Sequence, residues 1–150
     1  TDLEDQGKVK TNSRGNNFMV YADRNLIEYC ISNLLNNAFK YSKSFAEVEL
    51  NIMSTESECE IQIIDCGIGI PKKDQDKLFN TFYRASNTSG IQGTGLGLYI
   101  VKTFVEKNKG KVNLESRLGK GTKVTVKFPL QKSEEDDQNI DNYDTRRNKP

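Results

Sequence analysis

The sequence predicts an α+β domain: a two-layer α/β sandwich, with helices on one face of a mixed, mostly antiparallel sheet of about five strands. Three observations predict it. Only two long helical patterns occur, and they separate groups of strand-like segments, not every strand pair, which disfavours a doubly wound parallel sheet. The strand-like segments come in pairs joined by short polar turns, as hairpins do. At 150 residues the chain is long enough to close one hydrophobic core.

Residues 1–17 are polar throughout and read as a flexible lead-in. FMVYAD (18–23) reads as a short strand ending at Asp23, whose carboxylate suits the N-cap of the next element. Residues 26–39 are helical, because Leu26, Cys30, Leu34 and Ala38 form one i,i+4 row beside Ile27, Ile31, Leu35 and Phe39. AEVELNIM (46–53) and CEIQIID (59–65) alternate with period two around the polar STESE, predicting an antiparallel hairpin with one wet face. Pro71 suits the first position of a short helix reaching residue 79. Residues 80–95, rich in Asn, Thr, Ser and Gly, read as a loop, and 96–108 as a helix closed by Gly110. KVNLES (111–116) and TKVTVKFPL (122–130) form a last hairpin around LGKGT. Residues 131–150, with four basic and six acidic side chains and no core pattern, read as a disordered polar tail or linker.

Composition narrows the function. A net charge of +1 supports neither a nucleic-acid nor a membrane-surface footprint. No apolar run approaches the ~18 residues a membrane helix needs, so the expectation is a cytoplasmic domain, whatever anchors the parent protein. There is no histidine, which excludes His-based catalysis within this chain. Cys30, Cys59 and Cys66 lack CxxC spacing and read as free thiols.

Three motifs carry the chemistry. On the first helix Asn33, Asn37, Lys40 and Tyr41 fall on one flank within roughly a 100° arc, with Asn36 toward solvent. Asn33 and Asn37 are i,i+4 neighbours whose oxygens suit a hard cation such as Mg²⁺, while Lys40 suits a phosphate and Tyr41 a stacked base. A simply solvated flank explains the same residues, and this segment alone does not decide. Asp65 ends a strand before CGIGI, where Gly67 and Gly69 permit a sharp path beside an acceptor for an exocyclic amino group, or an ordinary Asx turn. GTGLGL (93–98) places three glycines at the mouth of a helix, where bare N–H groups and the helix N-terminus favour an anion. It is not a Walker A loop, since no GKS or GKT follows, nor a Rossmann fingerprint, since it opens no βαβ unit.

Taken together, these motifs resemble the catalytic ATP-binding (HATPase) domain of two-component sensor histidine kinases, in the GHKL superfamily shared with gyrase, Hsp90 and MutL. The resemblance spans about residues 18–130 and rests on four motifs in the family's order. They are the N box NLLNNAFKYS (33–42), a first glycine box DCGIGI (65–70), an F box LFNTFYR (78–84) and a second glycine box GTGLGL (93–98). GKGTKVTV (119–126) resembles the family's closing hairpin.

The resemblance implies a Bergerat-type fold and a role for each position. Asn37 would ligate Mg²⁺ with Asn33 in support, Lys40 would contact phosphate, and Tyr41 would stack near adenine. Asp65 would accept the adenine amino group in a pocket shaped by Gly67, Gly69 and Ile70, with Thr122 near the base. Residues 72–95 would form a mobile ATP lid, anchored by Phe79 and Phe82 unless these are plain core residues. Gly93, Thr94, Gly95, Leu96, Gly97 and Leu98 would hinge it over the triphosphate, and Arg84 would neutralise the γ-phosphate. In the hydrolysing relatives a glutamate one turn before the Mg²⁺ asparagine activates water; here that position is Asn33, and an amide is no general base. That favours a protein-histidine kinase over an ATPase or a serine kinase, and the unbroken N box and glycine boxes favour it over an interaction module. The acceptor histidine would sit on a separate dimerisation domain of a homodimeric parent, with a response regulator or receiver domain downstream. Alone, this chain is expected to bind ATP without phosphorylating itself.

Overall fold

The computed structural model describes residues 8–43 and 46–130. In chain order the elements are β1 (Val9–Arg14), α1 (Arg24–Tyr41), β2 (Val48–Ser54), β3 (Glu58–Asp65), α2 (Lys72–Gln75), α3 (Gly97–Lys107), β4 (Lys111–Arg117) and β5 (Gly121–Pro129). The strands form one sheet in the order β1-β2-β3-β5-β4, parallel only between β1 and β2.

Alternation along the strands builds the core. Leu50, Ile63, Val124 and Leu114 stand in register across four strands, as do Ile52, Ile61, Val126 and Val112. These two rows face Cys30, Leu34 and Ala38 of α1 and Val101, Phe104 and Val105 of α3 in a single buried cluster. Each such aliphatic side chain contributes about 1.5–3 kcal/mol on burial. The other sheet face is polar, with Asn12, Asn51, Gln62, Thr125 and Asn113 in one register row. The expected sandwich and wet face are both present.

The first strand is a correction. Residues 18–23 make only an isolated bridge, Val20 to Leu130, whereas β1 lies inside the segment read as lead-in. Every β1 residue is exposed, so no apolar alternation marks it. Its order comes from backbone pairing with β2, and polar side chains suit an edge strand that must not recruit another chain. Residues 1–7 and the predicted tail 131–150 lie outside the described residues.

Helix α1 matches its pattern closely. Asp23 caps it, Oδ1 accepting from Leu26 N–H at 3.2 Å, and Ser42 Oγ closes the far end on Ala38 O at 2.6 Å. The helix expected to reach residue 79 stops at Gln75, with Pro71 one position before it. Beyond it Lys77 and Asn80 donate back three residues, to Asp74 O and Lys77 O, and these tight turns place buried Asp74 and Leu78 inward.

Helix α3 ends differently from expectation. The left-handed residue is Lys109 (φ 60), with Gly110 N–H bonded to Val105 O and Lys109 N–H to Glu106 O, a Schellman pair. Gly110 is needed for proximity instead: a Cβ there would stand 2.3 Å from Lys127 O. Lys109→Gly should therefore stabilise the domain by about 0.5–1 kcal/mol, since relief of left-handed strain exceeds glycine's entropic cost. A thermal melt showing a lower midpoint would refute this.

Candidate nucleotide-binding site

Asp65 follows Ile63 at period two and so reaches the helix side of the sheet just as β3 ends. Its register partner is Thr122, which in turn faces Ser116. Asp65 Oδ1 accepts from Gly67 N–H at 2.8 Å. Burial pushes the Asp65 carboxyl above its ordinary range, against the downward pull of the Gly67 and Thr122 N–H groups. Ser116 Oγ lies 2.8 Å from Thr122 Oγ1 and accepts from Ile70 N–H at 2.9 Å, tying the first glycine box to the hairpin. A cavity of about 340 Å³ opens here, between the sheet end, α1 and α3.

The flank of α1 lines the cavity with Asn33, Asn37, Lys40 and Tyr41, while Asn36 is exposed. Asn37 Nδ2 donates to Asn33 Oδ1 at 3.4 Å. Asn33 thereby orients its neighbour, and the Asn37 oxygen is the one left for a ligand.

Opposite, the glycine run brings the start of α3 onto α1. A Cβ at Gly97 would stand 2.5 Å from Asn33 Oδ1, and one at Gly93 would stand 2.6 Å from Lys40 Nζ. Gly95 takes φ 73, and its carbonyl accepts from Phe82 N–H at 3.1 Å. No side chain caps α3, so the orphan N–H groups of its first turn are available to an anion. Gly97 and Leu98 carry that turn along the cavity, beside Thr94.

Of the expected residues, Gly69, Ile70, Arg84 and Thr122 also line the cavity. Gly67 lies behind Asp65, where a Cβ would stand 2.3 Å from Tyr41 O, and Leu96 is the residue before α3. Phe82 is a correction: it is 70 % exposed, with φ 62, and leaves the cavity wall to Leu78, which is buried. An anchor must be buried, and Leu78 is the F-box residue that is. Phe79 is half-buried, its ring 5.4 Å from Lys102 Nζ. Arg84 is not free toward a phosphate here, because its Nη2 donates to the carbonyls of Thr88 and Ile91.

Sequence reasoning missed Asp74, Tyr83 and Ser86. Asp74 is 2 % exposed and accepts from Tyr83 OH at 2.6 Å, Ser86 N–H at 2.9 Å and Ser86 Oγ at 2.7 Å. Those bonds, led by Tyr83, hold its carboxyl well below the ordinary range, at about 2. The one available signal was an acidic residue four before buried Leu78 on the same side. Cys30 and Cys59 are core residues whose thiols burial raises, Cys30 to about 11, and Cys66 is exposed.

A two-layer sandwich with an acceptor pair at the sheet end and a cationic, amide-lined mouth at paired helices defines a nucleotide-binding α+β domain. The chain belongs to the HATPase_c family, the histidine kinase-, DNA gyrase B- and HSP90-like ATPases, whose sequence profile matches residues 22–132. It is 37% identical over 132 residues to the sensor protein RprX of Bacteroides fragilis, covering 85% of this chain and 25% of that protein. It is 40% identical over 122 residues to the sensor histidine kinase WalK of Bacillus subtilis, covering 79% of this chain and 20% of that one. It thus spans a fifth to a quarter of these curated relatives. Among solved structures, the mycobacterial sensor histidine kinase MprB matches with a TM-score of 0.73 at 25% identity, covering 83% of this chain and 86% of that one. The catalytic domain of histidine kinase ThkA matches at 0.68 and 25%, covering 81% of this chain and 78% of that one. No helix among the described residues is long and apolar enough to cross a membrane.

Proposed function

We propose that this chain is the ATP-binding catalytic part of a sensor histidine kinase, holding Mg-ATP so that a histidine on another domain of the parent takes the γ-phosphate. One observation carries the reading beyond nucleotide binding: Asp65 is the sole carboxylate among the cavity-lining residues, and it stands at the end of β3, away from the α1 flank that would face the phosphates. The mouth presents Asn33, Asn37 and Lys40, which offer amides and an ammonium but no general base for water. Catalysis here is positioning and charge neutralisation.

The donor set fits a hard divalent ion only with help from the nucleotide. Among the described residues no group of three or more Asp, Glu, Cys or His gathers to hold a metal, so Asn37 Oδ1 would be the protein ligand and phosphate oxygens and water the rest. Mg²⁺ would supply neutralisation of developing phosphate charge. Lys40 and the uncapped first turn of α3 orient the phosphates, and Asp65 with Thr122 reads the base.

With no histidine in the chain, the acceptor must come from elsewhere, on a dimerisation domain of the parent, and a response regulator or receiver domain would follow. Cytoplasmic ATP would be the donor. Titration of the chain with a fluorescent ATP analogue should show binding that Mg²⁺ strengthens. Incubation with γ-labelled ATP should leave the chain unlabelled and label a parent fragment bearing the acceptor histidine. An acid-labile label on the chain itself, or no binding at millimolar nucleotide, overturns the reading, the latter in favour of an interaction module.

A further inference from the structure

We propose that Asp74 is a positioning residue: through Tyr83 and Ser86 it fixes the pocket wall at residues 83–88 before nucleotide arrives, so that only residues 89–94 move on binding. The movement rests on the nucleotide reading above; the wall itself does not.

The geometry is that of a post and a strap. The post is α2, tied to the sheet end by Gln75 Nε2, which donates to Ile70 O at 2.9 Å and Ser116 O at 3.0 Å. Asp74 projects from it, and both of its carboxylate oxygens are taken by the four-residue segment 83–86. Tyr83, Ala85 and Thr88 of the held stretch line the cavity, so what Asp74 holds is a wall of the site. Asn87 Nδ2 adds a fourth tie, to Gly69 O at 2.9 Å. Beyond Thr88 the character changes: within 89–94 every residue but Ile91 is exposed.

A carboxylate is the group this joint requires. It accepts only, and three donors converge on it; an amide has one accepting oxygen, so it either opposes an N–H to the Ser86 N–H or forces the Tyr83 hydroxyl to turn and accept. Among the described residues no salt bridge involves Asp74, so a buried charge is offset chiefly by hydrogen bonds, with a smaller contribution from the charge of Lys73, a costly choice for filling space. A leucine would serve a purely structural role there. Holding the wall in advance removes ordering that the nucleotide would otherwise drive.

Amide hydrogen exchange on the whole chain, with Asp74→Asn, Tyr83→Phe and the double variant, tests this. Without nucleotide, the wild-type Ser86 amide should be protected, and the amides of residues 89, 90 and 92–94 should exchange freely, Ile91 N–H being bonded to Thr88 O. Asp74→Asn should lose protection across 83–88 while α1 and β3 keep theirs. Affinity for a fluorescent ATP analogue should fall roughly tenfold in Asp74→Asn and less in Tyr83→Phe, and the double variant should fall short of the summed effect. Unprotected 83–88 in the wild type, unchanged exchange in Asp74→Asn, or additive losses overturn the proposal. If nucleotide fails to bind the wild type while the exchange pattern holds, the functional reading fails and the fixed wall stands.

Discussion

Asp65→Asn should weaken ATP binding about a hundredfold while leaving the melting temperature nearly unchanged. The carboxylate accepts from Gly67 N–H and, on the proposed reading, from the amino group of the base. Asparagine brings one acceptor and one donor. Whichever way the amide turns, either Gly67 loses its acceptor or the amino group meets a second donor. A hydrogen bond to a charged acceptor is worth about 1.5–3 kcal/mol, which puts the loss at ten- to a hundredfold, and donor–donor repulsion takes it to the upper end. The variant should shift preference toward a 6-oxo purine, so the ratio of ITP to ATP affinity should rise. Equal affinities for ATP in wild type and variant would sink the assignment of Asp65 to the base.

Asp65 also sets a pH signature. Its carboxyl lies above the ordinary 3.8 because burial disfavours the charge. On the proposed reading the ionised form binds, so affinity should be full above the raised value and lost as pH falls through it, earlier than an ordinary carboxylate would dictate. Titration of the nucleotide's own phosphates is common to both proteins, so the difference between wild type and Asp65→Asn isolates this group. The variant should lack that component.

Asn37→Ala should remove the dependence of ATP binding on Mg²⁺ and reduce phosphotransfer to the parent's histidine about a thousandfold, since metal neutralisation of a phosphoryl oxygen is worth several kcal/mol. Alanine is the better helix former, so α1 should persist. Asn33→Ala should do less, about tenfold, because Asn33 Oδ1 acts through the Asn37 amide at 3.4 Å. Affinities measured in Mg²⁺ and in EDTA separate the two. Should Asn37→Ala keep its Mg²⁺ dependence, or Asn33→Ala be the more damaging, the ligand assignment is wrong.

Legibility followed burial. The row Cys30, Leu34 and Ala38 and the alternating strands could be read because each buries one face against a single core, and burial leaves a period in the chain; exposed Asp23 could be read because its carboxylate suits a helix start. The two glycine boxes were readable for a related reason: bare backbone is costly unless something approaches it closely, as Asn33 approaches Gly97. β1 was invisible because it has no buried face, and Val20 and Ala22, which do pack inward, imitated a strand in its place. Phe82 was misread because hydrophobicity was taken for burial, whereas the left-handed turn at that residue sends its ring outward and leaves Leu78 inside.

By itself the sequence determined the sandwich class, the long amphipathic helix with its amide flank, and the two places where the backbone must be bare. These are local facts, written in spacing and in residue type. Only the tertiary structure decided that Arg84 binds the carbonyls of its own loop, and that Asp74 fastens Tyr83 and Ser86. Each is a choice among partners separated along the chain or free to turn several ways. A directional bond chooses its partner only after packing has brought the candidates within about 3 Å.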